Sequence, residues 1–447
     1  MEEKKDLFFR QMSDGTYYWD ILRRQVYLFL HTLHGGPFKL PNTHPKQRIL
    51  NNFMNIGKLA INILSKQYIV KRKPKYIFVT AQRIQKGTSL IDNISDHLFE
   101  LVKNKAAAIE LLNKKSISYW SLILNKETRV PPVAVKIKNT KSEIGKVATI
   151  IKNLIKQHFN ISVDVHQLVY ETIVTFQETK SYYIKMFSKH KPSVVICVNN
   201  GTLNGLFSAA RNLKIPTIEL QHGASNSHTI FWSYPSSISS DHPGLALPTA
   251  YLTFSEYWNA NTNYPVKFID YIGNNYFFLE QVIGREDGVL IISGYMYREE
   301  LLRFAIELAI REDNIKIYFK LHPHEFGEWK NITFACKKYS NIIVICNEMD
   351  FHELYKLCNY VVGIHSTNMY LALQAGKKVC ILMRSNYFWH KDIFDYVVLI
   401  NGVDDLKKVM SNISGQHFKS TSQLPVFFKP FSAKRFMNSL TNVSHYS

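Results

Sequence analysis

From Val194 onward, short apolar runs alternate with stretches whose apolar residues recur every three or four positions. The runs predict strands over Val194–Val198, Pro216–Leu220, Tyr251–Ser255, Phe268–Ile272, Val289–Ser293, Ile315–Leu321, Ile342–Cys346, Val361–Ile364 and Val379–Met383. The periodic stretches predict helices over Leu203–Leu213, Glu299–Arg311, Phe351–Leu357 and Asn368–Ala375. Strand–helix alternation with short turns is the mark of a doubly wound parallel sheet. Gly273-Asn274-Asn275 interrupts the rhythm and suggests a domain boundary. The earlier half is more helical. An aromatic amphipathic helix is expected over 16–35, closed by Gly35-Gly36, Pro37 and Pro41. A short strand is expected at Tyr76–Thr80, a helix over 95–126 ending before Pro131-Pro132, and long helical periodicity over 142–190. Residues 224–248 form a polar loop rich in Ser and Pro, longer than a plain connector.

Length supports two domains, because 447 residues exceed what one core of about 250–300 residues usually holds. Apolar content of 46% is ample for packed cores and argues against disorder over most of the chain. No uncharged apolar stretch reaches the ~20 residues a membrane-spanning helix needs, and Met1-Glu2-Glu3-Lys4-Lys5 lacks the apolar centre of a signal peptide. Cys197, Cys336, Cys346, Cys358 and Cys380 include no CxxC pair and read as buried thiols in a reducing cytoplasm. The net charge of +20 fits a nucleic-acid binder, an anionic-membrane binder or an enzyme of polyanionic ligands. It fits equally a plain bias toward Lys, Asn and Ile, since the lysines are dispersed. No zinc-finger or RNP signature supports nucleic acid as a partner.

The candidate chemistry lies where strands end, the place where open parallel sheets bind ligands. Gln221-His222-Gly223 follows one strand: Gly223 admits close backbone approach, and His222 is a candidate general base. The plainer reading is a turn glycine beside a satisfied histidine. Ser293-Gly294 follows another strand as a small turn able to admit phosphate, without the full GxGxxG or GxxxxGK[ST] pattern. Lys320-Leu321-His322-Pro323 and Ser366-Thr367-Asn368 follow two more. Together they offer an imidazole, hydroxyls and free backbone N–H groups to a phosphate or diphosphate. Glu325 is placed to orient His322 or His324 or bind a ribose hydroxyl, or else is a solvated helix-start carboxylate. His222, His322, His324 and His365 invite a metal reading, but no HxxxH-type helix spacing or DxD-like loop accompanies them, so no metal cofactor is expected. No GxSxG elbow or strand-end cysteine suggests a covalent nucleophile.

Over about residues 190–385 these motifs resemble GT-B type bacterial glycosyltransferases of capsule or O-antigen (surface polysaccharide, including lipopolysaccharide) biosynthesis. Ile218-Glu219-Leu220-Gln221-His222-Gly223 is similar to the His-Gly turn of their first domain, and to the corresponding turn of CDP-polyol phosphotransferases, where the histidine is the base. Lys320-Leu321-His322-Pro323 resembles the His-Pro motif, and Ser366-Thr367 the Ser-Thr motif, of sialyl- and Kdo-type transferases, where both hold the CMP of the donor. Retaining GT-B enzymes usually carry a ribose-binding Glu in the helix that follows, and Asn368–Gly376 holds no carboxylate.

The resemblance implies an α/β protein of two Rossmann-like domains facing a cleft. Residues 1–275 would form the acceptor side, 276–430 the nucleotide-sugar donor domain, and 431–447 a C-terminal tail. The implied reaction is metal-independent transfer of a sugar, from a CMP-sugar ahead of a UDP- or GDP-sugar, to a glycan or lipid-linked glycan. His222 would be the base. Ser293, Gly294, Lys320, His322, Pro323, Glu325, Ser366, Thr367 and Asn368 would hold the nucleotide, with Gln221 and Gly223 on the acceptor loop. A CDP-polyol phosphotransferase on the same fold is the alternative. A cytoplasmic enzyme peripheral to the inner membrane is expected, with the aromatic helix at 16–35 either touching that membrane or packed in the first domain.

Overall fold

A computed structural model describes residues 10–33, 73–80, 84–86, 89–110, 141–198, 203–282, 288–294, 296–383, 390–411 and 424–446. The breaks expected at Gly35-Gly36, Pro37, Pro41 and Pro131-Pro132 lie outside them, as does residue stretch 111–126 of the expected helix. The first sheet is built from β1 (Tyr76–Thr80), β4 (Ala106–Glu110), β5 (Val194–Val198), β6 (Thr217–Leu220), β7 (Ala250–Thr253) and β8 (Phe268–Tyr271). All its pairings are parallel, in the order β4-β1-β5-β6-β7-β8. A small antiparallel hairpin, β2 (Ile84–Lys86) with β3 (Ser89–Ile91), stands apart. The second sheet joins β9 (Gly288–Ile292), β10 (Ile317–Lys320), β11 (Ile342–Ile345), β12 (Cys358–Gly363), β13 (Lys378–Leu382) and β14 (Val398–Ile400). It too is parallel, in the order β11-β10-β9-β12-β13-β14. Counted from β9 this is 3-2-1-4-5-6, the doubly wound dinucleotide-fold order. The two Rossmann-like domains of the GT-B arrangement are therefore present.

The strands read as unbroken apolar runs because helices cover both faces. Val194–Val198 and Gly288–Ile292 are buried at every position. Around the first sheet run α1 (Tyr18–Leu33), α2 (Asp96–Val102), α3 (Lys141–Phe159), α4 (His166–His190), α5 (Asn204–Asn212) and α6 (Glu256–Ala260). Around the second run α7 (Arg298–Arg311), α8 (Trp329–Cys336), α9 (Phe351–Leu357), α10 (Asn368–Gln374) and α11 (Val403–Met410).

Two expectations change here. The helix expected over 95–126 ends at Val102, and Ala106–Glu110 pairs with β1 as an edge strand. The periodicity over 142–190 is two helices, parted at Asn160, whose φ of 55° is left-handed. Asparagine tolerates that conformation and so ends α3.

The aromatic helix α1 is a core element. Tyr18, Trp19, Ile21, Leu22 and Val26 are buried with Trp232, Tyr234, Ile238 and Leu245 of the 224–248 loop. Buried Asp20 accepts hydrogen bonds from Tyr234 Oη (2.8 Å) and Ala246 N (2.7 Å). Arg23 donates to the carbonyls of Ile230 and Ser233 (2.7 Å each). The face that invited a membrane reading is thus spent on packing the loop. Among the described residues no helix is long and apolar enough to cross a membrane.

Among the described residues the chain crosses between the domains twice. After β8 it passes through Gly273 (φ 73°), whose missing side chain makes room for the Pro430 carbonyl. After the second domain it returns through Phe427 and Phe428, fully buried beside Phe254, Trp258 and Phe277. The stretch expected as a tail from 431 instead forms α12 (Ala433–Val443) on the first domain. Its Arg435 pairs with Asp270 and donates to the Tyr271 carbonyl at the end of β8.

Candidate functional site

The strand order of the second sheet reverses between β9 and β12, so a crevice opens at their carboxyl ends. Four strand-end turns named by the sequence meet there. A side chain added at Gly294, after β9, would reach the His365 carbonyl after β12 at 3.4 Å. Ser293 Oγ donates to Glu325 Oε1 (3.0 Å), which joins the turns after β9 and β10. From the first domain the turn after β6 arrives over the same crevice. Ala224 N–H donates to Thr367 Oγ1 (2.9 Å), and a Cβ on Gly223 would stand 3.0 Å from that hydroxyl. Glycine at 223 is what allows this close approach.

Several expected ligand contacts are used inside the protein. Lys320 is buried, and its ammonium donates to the carbonyls of Cys346 and Met349 (2.9 Å each), tying β10 to the turn after β11. Burial lowers its pKa. It therefore braces the sheet. Glu325 is 1% exposed and takes Ser293 Oγ on one oxygen and His322 N–H (2.7 Å) on the other. Burial raises its pKa, with both bonds pulling the other way. It clamps the His322-Pro323 turn, with one protein donor on each oxygen. Two of the N–H groups expected to be free around the Ser-Thr pair are engaged. Ser366 N–H donates to His390 Nε2 (3.1 Å), and Asn368 N–H to Ser366 Oγ (3.2 Å). The helix they open, α10, is only seven residues long. Gly294, half-buried His322 just before a 3-10 turn (Pro323–Glu328) and Thr367 also stand at these strand ends, and the Thr367 hydroxyl, which accepts from Ala224 N–H, has its own proton to donate.

His222 is half-buried at the edge of this crevice. Gln221 holds its turn from both sides: Nε2 donates to the Gly223 carbonyl (2.8 Å), and Oε1 accepts from Phe254 N–H (2.8 Å). The imidazole lies against Trp232, with ring centroids 5.5 Å apart. Trp232 Nε1 and Tyr264 Oη in turn donate to the buried Glu219 (3.3 and 2.9 Å). The ring is thus set by an aromatic neighbour that is itself pinned.

Sequence reasoning missed a second cluster, behind the crevice. Asp392 accepts from Tyr257 Oη (2.6 Å) and Asn226 Nδ2 (2.8 Å) of the first domain, and from Tyr370 Oη (2.8 and 2.9 Å) on α10. Burial raises its pKa, opposed by the two tyrosine bonds. Tyr370 Oη also takes Asn226 Nδ2 (3.0 Å) and meets His390 Nδ1 (3.2 Å). His390 stacks on His365, with rings 3° from parallel and centroids 5.4 Å apart. Burial pushes the His365 imidazole down to about 4. Apart from His365, which adjoins Ser366-Thr367, no motif marks these residues, which come from four separate segments. The one sequence signal is that Asn226 belongs to the loop opened by Gln221-His222-Gly223.

No family model matches the chain. A stretch of 160 residues is 26% identical to an uncharacterized 37.2 kDa protein of Acholeplasma phage L2, covering 35% of this chain and 51% of that protein. The chain thus spans about half the length of the curated relative it matches. Among solved structures it is similar to Acinetobacter baumannii MurG, at a TM-score of 0.45 and 10% identity over 83% of this chain and 100% of that one. It is also similar to the UDP-GlcNAc 2-epimerase of Methanocaldococcus jannaschii in complex with UDP-GlcNAc and UDP (TM-score 0.48, 14% identity, 82% and 99% covered). The UDP-GlcNAc 2-epimerase of Neisseria meningitidis bound to UDP-GlcNAc is similar at a TM-score of 0.46 and 11% identity, with 82% and 99% covered.

Proposed function

We propose that this chain is a glycosyltransferase that moves a sugar from a nucleotide-activated donor to a surface-polysaccharide acceptor. The observation that carries the reading is the bond from Ala224 N–H to Thr367 Oγ1 (2.9 Å). It sets the loop bearing His222 beside the reversal point of a 3-2-1-4-5-6 sheet, the position where such sheets take nucleotides. The donor phosphate lies against Gly294, His322 and Thr367. The acceptor hydroxyl approaches from the first domain and attacks the anomeric carbon. The bond from that carbon to the phosphate oxygen breaks, and His222 takes the hydroxyl proton. Donors fixed on the leaving phosphate lower the barrier without reorganisation. Lys320, Ser293, Glu325 and Gln221 serve as braces, each holding one of the turns that meet at the crevice. The resemblance of the His-Pro and Ser-Thr motifs favours a CMP-sugar ahead of UDP- or GDP-sugars, and no metal cofactor is required in this reading.

A thermal-shift screen with CMP, CDP, UDP and GDP tests the donor site, since a ligand at about 100 times its Kd adds about 2.7 kcal/mol. One nucleotide is expected to raise Tm, and none doing so defeats the reading. With the matching activated sugar and excess EDTA, turnover should persist. Loss restored by Mg²⁺ or Mn²⁺ would show that metal replaces the proposed protein donors. A phosphodiester product in place of a glycosidic bond would identify the CDP-polyol alternative.

A further inference from the structure

The loop that carries His222 touches α10 at two points. Ala224 N–H reaches Thr367, and Asn226 Nδ2 reaches Tyr370, three residues further along the helix. Residues three apart share a helix face, so the loop lies along one side of α10. Asn226 is wholly buried, and its Oδ1 is held by His228 N–H (3.1 Å) and Thr229 Oγ1 (2.9 Å). That fixes which way its amide points, with Nδ2 toward Asp392. Tyr257 brings a second first-domain group to the same carboxylate at 2.6 Å. Asp392 therefore receives donors from both domains at once.

The cluster also fixes the turn after β12. A backbone N–H can only donate, so His390 Nε2, 3.1 Å from Ser366 N, must be the accepting nitrogen. The proton of the neutral ring then sits on Nδ1 and points at Tyr370 Oη. Tyr370 must in turn give its own proton to Asp392. The direction of every bond from Ser366 to Asp392 is thus determined. An acceptor at the far end is what orients the imidazole at the near end, as in carboxylate–histidine pairs that fix a tautomer.

We propose that Asp392 is a positioning residue: it bolts the His222 loop to α10 and, through Tyr370 and His390, holds the turn at Ser366-Thr367. This rests on the donor reading only for its catalytic consequence. The physical content is that residues 221–229 and 364–372 move as one unit, although they belong to different domains. Occupancy of the crevice then reaches His222 through protein bonds as well as through substrate.

Amide hydrogen exchange on the full chain tests this directly, comparing the parent with Asp392→Asn, Tyr370→Phe and Tyr257→Phe. In the absence of nucleotide, each variant is expected to exchange faster in 221–229 and in 364–372 together, with Tyr257→Phe mildest. Acceleration confined to the segment around the altered residue overturns the proposal. Should Asp392→Asn fail to fold, Tyr257→Phe removes one hydroxyl only and still reads the coupling. A second arm adds CMP or UDP at saturation. In the parent, protection should appear in both segments. In Tyr370→Phe it should remain in 364–372 and weaken in 221–229, where the bonds from Ala224 to Thr367 and from Asn226 to Asp392 are still made. Undiminished protection of both segments in Tyr370→Phe sinks the relay. If no nucleotide protects 364–372 in the parent, the donor reading is at fault, and the nucleotide-free comparison decides the bolt alone. A merely structural carboxylate would lower Tm without linking the two segments.

Discussion

His222 and His365 carry the same ring in opposite settings. His222 is half-buried against Trp232 and, in the proposed reaction, is the proton acceptor. His222→Ala is expected to lower kcat by roughly 10²–10⁴ while nucleotide affinity stays within a few-fold of the parent. Turnover measured against both substrates decides it, and recovery at saturating acceptor would reduce His222 to a brace for the loop. His365 is pressed against His390, and burial holds its folded pKa near 4, below the ordinary 6.5. Between those values the unfolded chain binds the proton and the folded chain does not. Stability is therefore complete above about pH 6.5, falls as pH drops toward 4, and loses no more to this group below that. The full difference is worth about 3 kcal/mol at most. Urea midpoints at pH 7.5 and 5 should differ more in the parent than in His365→Gln, and equal slopes would refute the assignment.

The same scale shows what a sequence can say of a site. That His222, His322, Ser366 and Thr367 stand at strand ends was legible, because each follows an apolar run, and strand ends gather in a parallel sheet. Which way a side chain turns was not legible. Lys320 and Glu325 stand in the same strand-end turn as His322, yet their charged groups fold back onto carbonyls and N–H groups of the protein. Asn226, Tyr257, Tyr370, His390 and Asp392 were invisible. Their common property is a position in space that only the packed domains create.

Among elements, the buried strands were the most readable, since covering both faces leaves a continuous apolar run. The edge strand β4 was not. Ala106-Ala107-Ala108 favours a helix by intrinsic propensity, and pairing with β1 overrides that preference. Helix α1 was readable as a helix but not as to partner. Its Asp20 accepts from Tyr234 and from Ala246, both inside the loop. Asp20→Ala leaves two buried donors without an acceptor, at about 1–3 kcal/mol each. A fall of about 3 kcal/mol in unfolding free energy is expected, with exchange accelerated across 230–246. A change below 0.5 kcal/mol would mean that the loop is held by its own packing.

At the level of the whole molecule, the C-terminal return is the feature periodicity could not foresee, because the pattern that announces α12 says nothing of which domain it joins. Phe427 and Phe428 are fully buried, mostly among first-domain aromatics, with Tyr370 and Gln374 of the second domain also against them. Removing a buried Phe side chain typically costs about 3–5 kcal/mol. A chain ending at residue 423 should therefore lose protection in β8 and α6 while β9–β13 keep theirs. Uniform loss across both sheets would show that the two domains unfold as one.

Described this way, the second domain is a guest within the first. Residues 288–411 form one continuous block, while the host is assembled from chain on either side of it. Among the described residues two strands of backbone tie guest to host, near Gly273 and near Phe427, and the bonds from Ala224 to Thr367 and from Asn226 and Tyr257 to Asp392 add a third tie across the crevice, so twist and separation are both resisted. Nesting also makes the block portable. Expressed alone, 288–411 should fold with its own cooperative melt, whereas the host should require its two pieces to be spliced across the gap.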